Sequence, residues 1–173
     1  MRIRLCALLL ALILCLPGGL AEAFCVAADG MAAIISDDGV QMLGENGFTD
    51  CFALVAGELF AFGWVTREGS LYEVRTKDGE RLTEDSYGMI IETHGALVYR
   101  QGHLYGALTL SGEPLIPAEY TQLATADGVC FLAVRTDPND DDPDQVWLLR
   151  AGEEPQALGL RLDLPDWFVR GFF

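Results

Sequence analysis

Apolar residues along this chain come in short runs that do not follow a helical period. Val, Ile, Leu, Phe and Tyr gather in stretches such as FALV at 52–55, ALVY at 96–99 and FLAV at 131–134. Glycine, usually beside a polar residue, separates them. The turns read Asp29-Gly30, Asp37-Asp38-Gly39, Ala56-Gly57-Glu58, Glu68-Gly69, Asp78-Gly79, Gln101-Gly102, Ser111-Gly112 and Ala151-Gly152. Strand-length runs punctuated this way predict β-hairpins. Tight hairpin turns need positive φ, which glycine adopts at little cost. The pattern predicts an all-β protein.

One stretch occurs twice. Leu71 to Ile90 reads LYEVRTKDGERLTEDSYGMI, and Leu104 to Leu123 reads LYGALTLSGEPLIPAEYTQL, 33 residues further on. They align without a gap and share Leu-Tyr, a Thr, Gly-Glu at a turn, a Leu and a late Tyr. A fixed period of this size is the mark of tandem repeats. Units are predicted at about 24–57, 71–102, 103–136 and 144–164, with an extra hairpin at 59–69; their turn glycines are Gly39, Gly79, Gly112 and Gly152. Such a unit cannot bury its apolar face alone, so neighbours must stack on it. A propeller-like ring, an open sheet stack and a solenoid-like stack all fit this spacing. Trp64 in FAFGWV and Trp147 in QVWLL are expected in the core.

The segment from Leu104 to Tyr120 resembles a WG repeat. Tyr105-Gly106 stands where the family has its aromatic-Gly pair, and Gly112, Ile116-Pro117 and Tyr120 match the turn glycine, the Ile-Pro strand end and the late tyrosine. The 71–90 segment keeps Tyr72, Gly79 and Tyr87, but has Glu73 for the glycine and lacks Ile-Pro. The first and fourth units match only in outline. The resemblance implies a β-rich repeat protein of a family that is commonly bacterial and often secreted or surface-exposed. It carries no common catalytic residue set. The physical roles expected of these positions are structural. A ring can pack on Gly106, Pro117 ends a strand, and the tyrosines bury their rings.

The ends of the chain add an address. Arg2 and Arg4 precede an apolar run from Leu5 to Leu16, then Pro17-Gly18-Gly19 and Ala21-Glu22-Ala23. This is the layout of a secretory signal peptide over 1–23, cleaved after Ala23. The run is shorter than the roughly 20 residues a membrane helix needs. Residues 24–173 would form one WG-like β-repeat domain, secreted or on the cell surface, without stable membrane insertion. The sequence closes on Trp167, Phe168, Phe172 and Phe173. These aromatics are expected to dock on the last repeat, to mark a protein contact, or to lead into a longer array.

The formal charge is −15, and removal of 1–23, with its two Arg and one Glu, leaves −16. Nucleic acid is disfavoured, because phosphate binding needs a cationic face. A protein or a cell-surface or wall component is the expected partner. The charge either serves solubility or attracts cations and basic partners. Cys25, Cys51 and Cys130 follow the leader. An odd number excludes full pairing within one chain. Cys51 and Cys130 are expected as small buried apolar residues, while Cys25 could pair with either in an oxidising compartment.

Site chemistry is sparse. Asp137, Asn139 and Asp141, in the acidic segment 137–144, alternate like the first ligands of a calcium loop. The sixth and twelfth positions are Asp142 and Leu148, where an EF-hand needs Gly and Glu. A solvated acidic loop is the competing reading. His94 and His103 flank turns and could meet in space, without further zinc ligands of suitable spacing. Glu84-Asp85 would serve a glycosidase only if two carboxylates faced each other in a cleft. No nucleophile elbow, Walker loop or dinucleotide fingerprint is present. The expectation is a non-catalytic binding or scaffold protein without a cofactor. The alternatives are a calcium-responsive adhesion module and a carboxylate-based hydrolase.

Overall fold

The computed structural model describes residues 22–44, 47–136 and 144–160. Every regular element among them is a β-strand. The first sheet is β1 (Phe24–Ala28), β2 (Met31–Ser36) and β3 (Gly39–Met42). The second is β4 (Asp50–Val55), β5 (Leu59–Thr66) and β6 (Gly69–Thr76). The third is β7 (Met89–Thr93), β8 (Ala96–Gln101), β9 (Leu104–Thr109) and β10 (Pro114–Tyr120). The fourth is β11 (Gln122–Thr125), β12 (Cys130–Thr136), β13 (Asp144–Arg150) and β14 (Gln156–Ala157). All four are antiparallel meanders in chain order.

The hairpin turns follow from the local sequence. Asp29-Gly30 links Ala28 to Met31 with φ of 52° and 82°, and His94-Gly95 links Thr93 to Ala96 with 51° and 87°. Both central residues are left-handed, as a type I′ turn requires.

Strand alternation sets the packing. On β5, Phe60 and Phe62 face the first sheet, in a cluster with Ala32, Ile34 and Phe48, while Ala61 faces the third. On β8, Leu97 and Tyr99 join the core with the second sheet, and Ala96 and Val98 the core with the fourth. Each inner sheet is thus apolar on both faces, because successive side chains point to opposite sides. Among the described residues no core cluster joins the first sheet to the fourth.

The 33-residue offset recurs in the pairing. Tyr72 pairs with Tyr87, and Tyr105 with Tyr120. Arg75 bridges Arg81, and Leu108 pairs with Pro114. Thr76 N–H donates to Glu80 O at 2.9 Å, and Thr109 N–H to Glu113 O at 2.8 Å. The tyrosine pair of the second sheet lies at the core with the third, and that of the third lies at the core with the fourth. Tyr87 and Tyr120 are buried, whereas Tyr72 and Tyr105 are half-buried.

The recurring sequence starts in mid-sheet. The 71–102 unit begins within β6 and ends after β8, and the 59–69 hairpin is the β5–β6 corner of the second sheet. Pro117 does not end its strand. It lies inside β10, where the register with β9 shifts between Ile116 and Tyr120. β10 is an edge strand, and a bulged edge tolerates a residue without an N–H. Trp64 packs against the first core, edge-on to Phe48 at 6.0 Å, and Trp147 packs half-buried against the core of the third and fourth sheets. Residues 1–21 of the segment expected as a signal peptide, the acidic residues 137–143 and the aromatic-rich residues from 161 lie outside the described residues.

Candidate functional site

Stacking uses the sheet faces, which leaves concave surface at the turns. One hollow, of about 450 Å³, lies where the first and second sheets meet. Its walls are the β2–β3 turn, the β4–β5 turn, the turn after β6, and the chain at Glu22-Ala23. Five carboxylates line it, from Glu22, Asp37, Asp38, Glu58 and Asp78, against one ammonium, Lys77.

The walls are held in place from below. Lys77 N–H donates to Glu58 O at 2.9 Å, and the Lys77 ammonium lies 3.3 Å from the Glu58 carboxylate, so two of the turns are joined. Gly79 has φ of 79°, and a Cβ there would meet the Gln41 side chain at 2.8 Å. The Arg75 guanidinium donates to Gly79 O at 2.7 Å and to the Glu73 carboxylate at 2.6 Å. Arg81 approaches the other Glu73 oxygen at 3.4 Å. Glu73 is the one buried charged residue among the described residues, and two guanidiniums compensate it.

A second hollow of about 370 Å³ opens between the third and fourth sheets. Ile91, Val98, Leu123, Phe131, Leu132 and Leu148 line it, with His94 and Asp127 among its polar residues. The β11–β12 turn presses on the β7–β8 turn so closely that a Cβ at Gly128 would collide with the His94 carbonyl. Asp127 is committed to its own turn. Its carboxylate accepts N–H groups of Cys130 at 2.7 Å and Val129 at 3.0 Å, which hold its pKa below the ordinary carboxylate value.

The positions singled out in the sequence fall as follows. Gly79 and Gly112 occupy turns of positive φ that lean on the preceding sheet, Gly79 on Gln41 and Gly112 on Leu82. The Tyr99 ring lies on Gly106, and Ile116 is buried across from Ala107. His94 and His103 stand beyond opposite ends of β8, a strand about 20 Å long at about 3.3 Å per residue, and do not meet. Glu84 and Asp85 form the β6–β7 connection, where their backbone carbonyls accept the Arg81 guanidinium at 2.7 and 3.3 Å. Cys51 and Cys130 are half-buried rather than core residues. Asp137, Asn139 and Asp141 lie outside the described residues. Among the described residues no group of three or more His, Cys, Asp and Glu is assembled to hold a metal.

The acidic hollow escapes linear reading because its carboxylates spread from residue 22 to residue 78. Its visible signal is the acidic residues in three of the turns, at Asp37-Asp38, Glu58 and Asp78. No family model, curated protein or solved structure matches the chain.

Proposed function

We propose that this protein is a non-catalytic binding module that works outside the cytoplasm and holds a cationic partner, a basic segment of a protein or surface component, in the acidic hollow between its first two sheets. The observation that carries this is the convergence of the four carboxylates that remain after cleavage at Ala23, those of Asp37, Asp38, Glu58 and Asp78 from three separate stretches of chain, around one concave surface with a single ammonium. Exposed carboxylates grouped within a Debye length of about 8–10 Å reinforce each other's field and attract cations. They act here by charge and shape, which suits recognition rather than bond making.

Kinship with WG repeats and export by the 1–23 leader belong to the same proposal. Support for the first is the common register of Tyr72–Tyr87 and Tyr105–Tyr120. An open, solenoid-like stack is favoured over a ring by the linear order of the core clusters.

The test is fluorescence anisotropy with a labelled Lys/Arg-rich peptide and a Glu-rich control. The cationic peptide is expected to bind and to lose about tenfold in affinity from low to high salt. Asp38→Asn with Glu58→Gln and Asp78→Asn should weaken binding without lowering the melting temperature. Equal binding of the acidic control, or an unaffected triple variant, would sink the proposal.

A further inference from the structure

The first and second sheets also bring two cysteines together. Cys25 lies on β1 and Cys51 on β4, strands of different sheets. Both side chains pack against the core that joins those sheets. Their thiols are in hydrogen-bonding contact with each other, and both residues are half-buried, so neither is sealed from solvent. Cys130 stands apart on β12, with its sulfur beside the Arg150 guanidinium. The odd count therefore resolves into one adjacent pair and one separate thiol.

We infer that Cys25 and Cys51 form a disulfide that staples β1 to β4 and fixes the first sheet on the second. Cys130 remains outside this bond. The oxidant is a disulfide, either a protein dithiol–disulfide oxidant or a small one such as oxidised glutathione. Either thiol of the hydrogen-bonded pair can attack first, and the step is the same with the two exchanged. With Cys25 first, its thiolate, the proton released to solvent, attacks one sulfur of the oxidant, forms a mixed disulfide and expels one thiolate. The Cys51 thiol then loses its proton and attacks the Cys25 sulfur. That step forms the Cys25–Cys51 bond and expels the second thiolate. Two protein thiols are oxidised by two electrons, one disulfide is reduced to two thiols, and the released protons end on them.

The bond closes a loop of 27 residues from Cys25 to Cys51. A loop of that length restricts the unfolded chain enough to raise the melting temperature by about 10 °C in a protein of this size. It also lies at the interface that shapes the acidic hollow. The thiol geometry stands independently of the binding proposal, and the extracytoplasmic placement only supplies an oxidising environment.

The experiment uses the full chain equilibrated with oxidised and reduced glutathione. Remaining thiols are alkylated, and disulfides are mapped by peptide mass spectrometry, which needs no variant. The expected result is a linked pair of peptides carrying Cys25 and Cys51, with Cys130 alkylated. The oxidised protein should melt about 10 °C above the reduced one. Cys130→Ser should keep that difference, and Cys25→Ser with Cys51→Ser should abolish it. Alkylation of both Cys25 and Cys51 after oxidation, or pairing of either with Cys130, would overturn the inference. So would a 25–51 link that leaves the melting temperature unchanged. Peptide binding plays no part in these readouts, so failure here and failure of the binding proposal are distinguishable.

Discussion

The Tyr-Gly step at 105–106 offers a sharp test of how the sheets are packed. An ideal methyl group on Gly106 would lie 2.6 Å from Cζ and from the hydroxyl oxygen of Tyr99, and 2.8 Å from the carbonyl oxygen of Ile116. Neither neighbour yields easily. The Tyr99 ring is buried and packs on Tyr87 with centroids 4.6 Å apart, and the Ile116 carbonyl belongs to the backbone of β10. Overfilling a packed site costs about 1–3 kcal/mol. Replacing a strand glycine by alanine returns about 0.5–1 kcal/mol of backbone entropy. Gly106→Ala should therefore destabilise by about 1–2 kcal/mol net, or about 5 °C in melting temperature.

Gly63 provides the contrast. The three atoms nearest to a methyl there all belong to the Tyr72 ring, Cε1 at 2.5 Å and Cδ1 at 2.8 Å among them, with no backbone atom in that set. Tyr72 is half-buried, with its ring edge-on to Phe52 at 5.5 Å, so it gives more readily than buried Tyr99 but not freely. Gly63→Ala should cost less than Gly106→Ala, about 1 kcal/mol or below. Urea unfolding followed by tryptophan fluorescence reads both. Tyr99→Leu removes the blocking ring, so the Gly106→Ala, Tyr99→Leu double variant should be more stable than the two single losses predict, by about 1 kcal/mol. A Gly106→Ala protein as stable as the parent, a costlier Gly63→Ala, or additivity in the cycle would refute the packing argument.

Three further outcomes are expected. Glu73→Ala leaves the Arg75 guanidinium, only 16% exposed, without its carboxylate, and should cost about 3 kcal/mol, or roughly 10 °C by thermal melt; an unchanged melt would show the carboxylate to be dispensable. Burial pushes the phenols of Tyr87, Tyr99 and Tyr120 above their ordinary pKa of 10.0. Their neutral forms are favoured in the folded state, so their contribution is full below that value and is lost as pH rises through the raised folded values. The melting temperature should fall above about pH 10, and less so in Tyr99→Phe; a flat profile would contradict this. Millimolar calcium against chelator tests the acidic 137–144 segment: a rise of several degrees, abolished by Asp137→Ala with Asp141→Ala, means preferential binding by the native state, and no shift removes calcium from consideration.

Much of the fold was legible because strand and turn signals are local. Apolar runs of strand length and Gly-centred turns predicted hairpins, and type I′ geometry at Asp29-Gly30 follows from residue type, whereas the same turn at His94-Gly95 was not among those read from the sequence. The recurrence at 71–90 and 104–123 marked equivalent pairings because the same spacing between Tyr, Gly and Tyr sets the same register. Sheet boundaries were hidden, since similarity begins at β6 and β9, inside sheets, while the sheets begin at β4 and β7. Pro117 misled because a proline on a bulged edge reads, in sequence, like a strand end. The acidic hollow and the thiol pair were invisible for a different reason. Both join residues across two sheets, and nothing in a linear pattern states which strand of one sheet meets which strand of the next.

A stack of two-faced sheets constrains where any binding site can lie. The inner faces are consumed by the cores, as Phe60, Phe62 and Ala61 on β5 illustrate. Charge is left to turns and edges. A hollow built from turns of two sheets keeps its shape only if those sheets cannot slide. At the first interface that demand is met by linked contacts. Glu73 orients Arg75, Arg75 holds the Gly79 carbonyl, and the Gly79 turn seats on Gln41 of the first sheet while carrying Lys77 and Asp78 into the wall. A buried charge network without binding duty would affect stability alone. If the hollow is the site, Glu73→Gln should weaken cationic-peptide binding even at temperatures far below its melt, although Glu73 is absent from the lining. Retained affinity in a folded Glu73→Gln protein would mean that the turns need no such support.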